Sequence, residues 1–306
     1  MDKYLVTLER LRTFVRVAER CSFSAVAREL EAGQPTVTRH VRELEEALGV
    51  QLLSRTTRRV TLTDEGRHFY DSALQVLQTL DQACQDVVAI AGSLAGTVRV
   101  SCTAALGVLH ISRLLFAFQD AHPDITVDLS LADERVNLVR EGVDIALRLG
   151  PLVDSSMKLR ALGQSHRLLV ASPAYLAAKG APQLPQDMID HEGIRMTNVM
   201  GSDTLALVGP DGRKHAVPFV GHFRVDHGLA ARVALLAGRG LAPVHRWLVS
   251  DLLADRRLEQ ILPDYALEPV PLNLLIVPER AHVRRVRLLV DFLIARIGEI
   301  PGLGPS

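Results

Sequence analysis

Gln34, Pro35, Thr38 and Arg39 fall on one side of a short periodic segment, GQPTVTRHVRELEEALG. An amide and a guanidinium can each pair two-pronged with the exposed edges of bases, so this side is a candidate reader of a nucleic-acid groove. The other side carries Val37, Val41, Leu44 and Leu48 at spacings of four, three and four, one apolar stripe of a helix. Downstream, Ser54-Arg55-Thr56-Thr57-Arg58-Arg59 lies between Leu52-Leu53 and Val60-Thr61-Leu62. That order predicts a β-hairpin with a basic tip, and arginines on such a tip suit phosphates and the narrow minor groove.

Pro35 stands in the first turn of the predicted helix, with Gly33 as its N-cap and Gly49 as its stop. A shorter helix around Ser24 to Leu30 precedes it across a turn at Glu31 to Gly33, the arrangement of a helix-turn-helix whose second helix enters the major groove. Helix pairs of this kind also occur in small helical domains that never touch DNA; the basic hairpin is what favours DNA here. A first helix over Leu8 to Ala18 turns Leu11, Phe14, Val15 and Ala18 inward. Thr63-Asp64-Glu65 opens a long helix reaching about Ala91, its acidic first turn matched to the helix dipole. Along it Tyr70, Ala73, Leu77, Leu80, Cys84, Val87 and Ala91 alternate spacings of three and four, a heptad seam. We expect this stripe to pair with a second chain, the alternative being packing on its own domain.

The stretch SFSAVARELEAGQPTVTRHVRELEEALGVQLLSRTTRRVTLTDEG resembles the DNA-binding domain of the LysR-type transcriptional regulators. The resemblance rests on the aromatic after serine, Gln-Pro at the start of the third helix, Leu-Glu-Glu-x-Leu-Gly at its end and Arg-x-x-Arg before Leu-Thr-x-x-Gly. The family usually has serine at Gly33, a slightly stronger cap, and often Phe-Glu-Arg at Leu53-Ser54-Arg55. The expected duplex-facing set is Ser24, Gln34, Pro35, Thr36, Thr38, Arg39, Arg55, Arg58 and Arg59. The resemblance also implies an antiparallel dimer through the long helix and a dimer of dimers, a homotetramer, on double-stranded DNA.

The chain has 306 residues, 48% hydrophobic and 23% charged, with Lys plus Arg equal to Asp plus Glu. This excludes a global polycation but not a local positive face. No charged-then-apolar leader and no run of eighteen apolar residues is present, so no membrane span is expected and the location is read as cytoplasmic. Cys21, Cys84 and Cys102 are odd in number and lack CxxC spacing, which argues against disulfides, a zinc site and a sensing thiol pair. No His-Glu-x-x-His, Gly-x-Ser-x-Gly or P-loop occurs, and Gly238-Arg239-Gly240 meets Pro243 where a dinucleotide fingerprint needs a third glycine. We expect no enzyme, no metal and no cofactor beyond a small-molecule effector.

After a hinge at Gly92 to Gly96 the pattern changes to alternating strands and helices, an α/β class with a mostly parallel sheet. Val143-Asp144-Ile145-Ala146-Leu147-Arg148-Leu149-Gly150, Leu235-Leu236-Ala237-Gly238-Arg239-Gly240 and Val290-Asp291-Phe292-Leu293 resemble the LysR effector domain, built like a periplasmic binding protein. One departure is Val244-His245-Arg246-Trp247, where the family commonly has Leu-Pro-x-Trp. The expected architecture is an N-terminal all-α winged helix-turn-helix (1–63), a linker helix and hinge (64–95) and an effector domain (96–306) of two α/β lobes. Lobe I takes 96–164 and 269–300, and lobe II takes 165–268. In such folds ligands meet helix N-termini beyond the strand ends, which nominates Cys102, Thr103, Asp133, Arg148, Thr197, Asn198 and His227. Arg148 is expected to pair with a small carboxylate, or else with Asp144 or Asp133; Thr103 could simply cap its helix, and His227 could simply start one. A competing reading is a solute-binding module whose helical domain serves protein association, without DNA.

Overall fold

The structure, a computed structural model, describes residues 6–55, 60–90, 94–133, 142–151, 157–197 and 202–304. The chain forms two compact units, one built on residues 1–93 and the other on residues 94–139 and 143–306.

In the first unit α1 (Leu8–Arg20) is capped by the Thr7 hydroxyl and α2 (Phe23–Glu29) by that of Ser22. Gly33 starts α3 (Gln34–Leu48) without a side-chain cap, Pro35 sits in its first turn, and Gly49 ends it in the left-handed region. β1 (Leu53–Arg55) and β2 (Val60–Leu62) pair antiparallel, and α4 (Asp64–Ile90) follows. The apolar stripe of α3 is buried with Phe14, Val26 and Leu52, which fixes α3 by one face and leaves the other to solvent. Polar contacts then lock the hairpin to α3 and to α4. A Glu45 carboxylate oxygen accepts the main-chain N–H groups of Leu52 and Leu53 at 2.9 and 3.1 Å. Thr63 caps α4 by accepting from Gly66 N while donating to Gln51 O. A Cβ on Gly66 would lie 1.9 Å from Leu52 O, so the last glycine of the Leu-Thr-x-x-Gly motif is required by close backbone approach.

The long helix differs from the expectation. Ala73 and Leu77 are buried in the core of their own unit, with Phe69 packed on Phe14, rather than waiting for a partner. Three-four spacing serves a helix packed on α1 as well as one packed on another chain, so periodicity could not separate the two. Leu80 is half-buried, Cys84, Val76 and Ala83 are exposed, and the side chains of Val87 and Ala91 lie outside the described residues.

The second unit begins with β3 (Gly96–Cys102), α5 (Ala104–Leu106), a π turn at Gly107–Ile111, α6 (Ser112–Ala121), β4 (Ile125–Leu131), β5 (Ile145–Leu149) and β6 (Lys158–Ser165). The expected helix at 136–141 lies outside the described residues. β7 (Arg167–Ala171), α7 (Pro173–Lys179), β8 (Arg195–Met196), β9 (Thr204–Val208), β10 (Lys214–Pro218), β11 (Arg224–Val225) and α8 (Gly228–Leu236) come next. β12 (Leu241–His245), α9 (Arg246–Ala254), β13 (Glu259–Ile261), β14 (Ala266–Leu267), β15 (Val270–Ile276), α10 (Arg284–Arg296) and β16 (Leu303–Gly304) complete it.

Lobe I is built on a six-stranded sheet in the order β16-β6-β15-β5-β3-β4. β3 pairs parallel with β4 and β5, whereas β15 pairs antiparallel with β5 and β6, and β16 antiparallel with β6. The expected mostly parallel sheet is therefore mixed: the chain leaves at Ser165 and returns at Val270, and strand alternation carries no signal of direction. Lobe II has the antiparallel order β12-β7-β13, the hairpin β9-β10 with β14 beside it, and the short parallel pair β11-β8. β8 approaches β12 through a bridge between Gly193 and Leu241, where Gly240 allows close approach: a Cβ there would lie 2.2 Å from Glu192 O.

Val98, Val100, Cys102, Ile145 and Leu147 pack on α6 and α10. Just before β5, Asp144 is buried with Arg280: Arg280 Nε donates to its carboxylate at 2.6 Å, and the main-chain N–H of Arg99 donates to the other oxygen at 2.8 Å. Removing one partner of a buried pair leaves a charge without compensation. Arg280→Met is expected to lower the stability of this unit by about 3–5 kcal/mol. Urea unfolding followed by the fluorescence of Trp247, the single tryptophan, measures it; a change within about 0.5 kcal/mol would show the pair to be dispensable.

Candidate functional site

Two places on the molecule gather the chemistry. On α3, Gln34, Pro35, Thr38, Arg39, Arg42, Glu43 and Glu46 line a shallow depression on the face opposite the buried stripe. Gln34, Pro35 and Arg39 are exposed, Thr36 and Thr38 half-buried, and Ser24 exposed on α2 with its hydroxyl 3.2 Å from that of Ser22. Thus Gln34, Pro35, Thr38 and Arg39 share one patch, as their spacing predicts. Arg58, Arg59 and the Arg55 side chain lie outside the described residues.

Sequence reasoning missed the acidic residues of this patch. Arg42 Nε donates to Glu46 at 2.7 Å, and that hydrogen bond raises the arginine's pKa further. Glu43 stands 4.0 Å from Arg39 Nε and holds Arg10 of α1 at 2.5 Å. The four- and seven-residue spacing from Arg39 to Glu43 and Glu46 was the available signal. Exposed pairs of this kind are worth under about 1 kcal/mol, so the arginines can exchange these carboxylates for phosphate.

The second place is a cavity of about 310 Å³ in lobe II, large enough for a small ligand. The segment leading into β8 meets β12 at the Gly193–Leu241 bridge, and the cavity lies past it, lined by Ile194 and Met196 on one side and Ala242 to His245 of β12 on the other. Gly228, Ala231 and Leu248 wall one side, and Leu205, Phe219 and Leu267 the other. Its polar end is formed by Arg167 and His245, cross-strand neighbours on β7 and β12 whose side chains share one face. Arg167 Nε and Nη2 both donate to the main-chain oxygen of Glu268, at 3.0 and 2.8 Å, joining the outgoing and returning crossovers. Burial lowers its pKa, an effect the nearby Glu268 charge opposes.

His245 is fixed by a hydrogen-bond chain. Trp247 Nε1 donates to the fully buried Ser165 hydroxyl at 2.9 Å, so the Ser165 proton is directed to His245 Nδ1, 2.7 Å away. The ring proton therefore sits on Nε2. Trp247 also stacks on the ring, with centroids 5.2 Å apart. Burial, assisted by the Arg167 charge, pushes the His245 pKa down to about 3. The ring retains some accessible surface although it lies deep, and that surface belongs to the cavity it lines.

None of the six described residues among the seven expected at the effector site lines this cavity. Arg148 donates to the Ser101 hydroxyl at 2.6 Å and to Leu147 O, while Asp144, one of its anticipated partners, is taken by Arg280. Cys102 is buried and its thiol is pushed up to about 12 by desolvation. Asp133 accepts Ala104 N at 2.8 Å, and its other oxygen lies 3.5 Å from His227 Nε2. His227 caps α8, its Nδ1 accepting from Leu229 N, so it joins that helix start to Asp133 of lobe I. Thr197 hydrogen-bonds to Val225 O through both its N–H and its hydroxyl. Asn198 lies outside the described residues. The Arg167–His245 pair was missed because its members are far apart in the chain; the departure at Val244-His245-Arg246-Trp247 was the one local sign.

Comparison with known proteins decides what these two sites belong to. Residues 8–67 match the bacterial regulatory helix-turn-helix protein, lysR family, and residues 91–298 match the LysR substrate binding domain. The chain belongs to the LysR-type transcriptional regulators. It is 33% identical to the HTH-type transcriptional regulator CrgA of Neisseria meningitidis serogroup C over 95% of this chain and 97% of that one. It is 32% identical to the regulator DmlR of Escherichia coli K12, covering 94% of each. The solved structure of CrgA superposes with a TM-score of 0.62 at 31% identity, covering 96% of this chain and 99% of that one. Full-length AphB, a Vibrio cholerae virulence activator, superposes with a TM-score of 0.67 at 26% identity, covering 95% and 99%. This LysR-type regulator thus carries a DNA-binding and an effector-binding domain. Among the described residues no helix is long and apolar enough to cross a membrane, and no cluster suits a metal ion.

The buried histidine sets a pH dependence. With a folded pKa of about 3 against the ordinary value of 6.5, His245 takes up a proton on unfolding throughout that window. Its contribution to stability is complete above pH 6.5 and is lost as pH falls towards 3. Replacing His245 by Gln is expected to flatten the fall in urea midpoint between pH 7 and pH 4, read from Trp247 fluorescence; identical slopes in the two proteins would contradict a buried neutral ring.

Proposed function

We propose that this regulator reads operator DNA through Gln34, Thr38 and Arg39 of α3. Ser24, Pro35 and Thr36 position that helix, and Arg55, Arg58 and Arg59 supply charge at the hairpin. The observation that carries this is the α3 patch itself: an amide and arginines exposed on one face while the other face is anchored in the core. Glu45 ties the hairpin to the same helix, so groove and backbone contacts would arrive as one unit.

The protein is proposed to act as a dimer through α4 and as a tetramer on two half-sites. With Ala73 and Leu77 committed to their own core, the partner-facing stripe shifts to Val76, Leu80 and Ala83. We assign the small-molecule effector to the lobe II cavity beside both crossovers. Occupying it would bias how lobe II sits on lobe I and so change affinity for half-site spacing, without altering which bases are read. His227 and Asp133 form an interlobe contact that such a bias would make or break. Arg148 and Thr197 are then supports of lobe I and lobe II strands, Thr103 precedes α5 without capping it, its buried hydroxyl unpartnered among the described residues, and Cys102 is packing. No catalytic role and no cofactor is assigned to any of these residues.

Gln34→Ala is expected to weaken binding to the best operator by about 1–3 kcal/mol and to relax the preference at one base pair. Gel shifts on that operator and on a scrambled duplex, at matched salt, measure both. Equal losses on the two duplexes would remove Gln34 from base readout, while an unaffected operator affinity would remove α3 from the groove.

A further inference from the structure

We propose that the lobe II cavity takes an apolar monoanion, a small aromatic or aliphatic carboxylate, whose head group is held by Arg167 and by the Nε2–H of His245. This deepens the effector assignment above and rests on it for its regulatory meaning, though not for binding itself.

The walls give the apolar half of the argument. Ile194, Met196, Leu205, Phe219, Val244, Leu248 and Leu267 offer no charge and no strong donor, so a ligand gains by burying apolar surface there. The polar lining comprises the hydroxyl residues Ser202 and Thr204 and the pair Arg167 and His245, of which Arg167 alone carries a positive charge. Arg167 spends Nε and Nη2 on one carbonyl, and Nη1 has no partner among the described residues. His245 spends Nδ1 on Ser165, and Nε2 has no partner among them either. Both remaining groups are donors, and the register pairs their residues directly across β7 and β12. Two convergent donors, one cationic, at the end of an apolar cavity select an anionic acceptor over a neutral one. Among the described residues one acidic side chain lines the cavity, Glu268; it meets Arg167 through its main-chain oxygen, and its carboxylate is exposed, where water screens its charge.

With Nδ1 taken by the Ser165 hydroxyl, His245 offers the cavity its Nε2–H, and burial beside Arg167 favours the neutral ring. One cation then matches one anionic charge; a dianion would leave one charge in an apolar chamber, which is unfavourable. The donor exists because His245 stands where LysR-type regulators commonly have proline, a residue without a side-chain donor, so the preference is a property of this chain. Because Arg167 already bridges the two crossovers, a carboxylate on Nη1 would add a third ligand to that bridge and draw in the end of β12.

The test uses the full-length protein with benzoate, phenylacetate and hexanoate, each set against its primary amide, in calorimetric titration. The acids are expected to bind at least about tenfold more tightly than their amides, as loss of a charge-assisted hydrogen bond implies. Arg167→Gln is expected to abolish that preference, and His245→Phe, which keeps a ring beside Trp247, to reduce it. Far-UV circular dichroism matching the wild type and a single cooperative urea transition report that each variant is folded. Equal affinity of acids and amides, an acid preference that survives Arg167→Gln, or no binding of any acid to the wild type would each overturn the proposal. If acids bind with the Arg167 dependence but leave operator binding unchanged, the site stands and the effector reading fails. If operator binding responds to compounds that Arg167→Gln binds undiminished, the effector reading stands and this one is overturned.

Discussion

The second unit is arranged about one buried hydroxyl. Ser165 ends the last strand of lobe I before the chain crosses, and it is fully buried between Trp247 Nε1 and His245 Nδ1. Burying a hydroxyl costs free energy unless both its donor and its acceptor capacities are used, and here both are. Satisfying it forces three separate segments into register: the end of β6, the end of β12 and the start of α9. Arg167, two residues on, faces His245 across the strands and reaches the Glu268 carbonyl where the chain returns. The crossover geometry, the tautomer of His245 and the polar end of the cavity all follow from that one contact.

The DNA-binding unit solves a different problem. Its recognition helix must offer polar groups to solvent and still be held without play. The apolar stripe supplies most of the hold, but a single stripe would allow the hairpin to pivot. Glu45 prevents this by spending a carboxylate on two main-chain N–H groups of the hairpin, and Arg10 on Glu43 fixes α3 to α1. The conspicuous acidity at the end of α3 is thus partly structural. Glu46, more exposed, keeps Arg42 extended along the helix at little cost in stability.

What could be read in advance divides along the same lines. Val37, Val41 and Leu44 announced their helix because burial on one face leaves a local, periodic mark, and Pro35 and Gly49 bounded it by backbone requirement. The α4 seam was misassigned at Ala73 and Leu77, since the same spacing packs a helix on α1 or on a second chain. Strand direction in lobe I was invisible, because alternation records faces and not partners. Arg148 looked like a ligand anchor from its place near a strand end, yet Ser101 and a main-chain oxygen engage it. The cavity was unreadable for a deeper reason: its wall comes from strands that part after one bridge, a property of the backbone that no residue pattern encodes. Only His245, out of place against the family pattern, marked the spot.

That marker bears on how a ligand could act at all. A ligand shifts a conformational equilibrium only by the difference in its affinity for the two states. A purely apolar occupant of this cavity touches lobe II alone, so its affinity would be nearly the same whatever lobe I did. The polar end is different, because Arg167 and His245 are the residues tied to the crossovers, one through Glu268 and the other through Ser165. A change in lobe angle moves those ties before it moves the apolar walls, which belong to the interior of lobe II. The energy available for signalling therefore resides in the two donors and not in the larger apolar surface, and the apolar walls serve to set which molecules are held long enough for the donors to act.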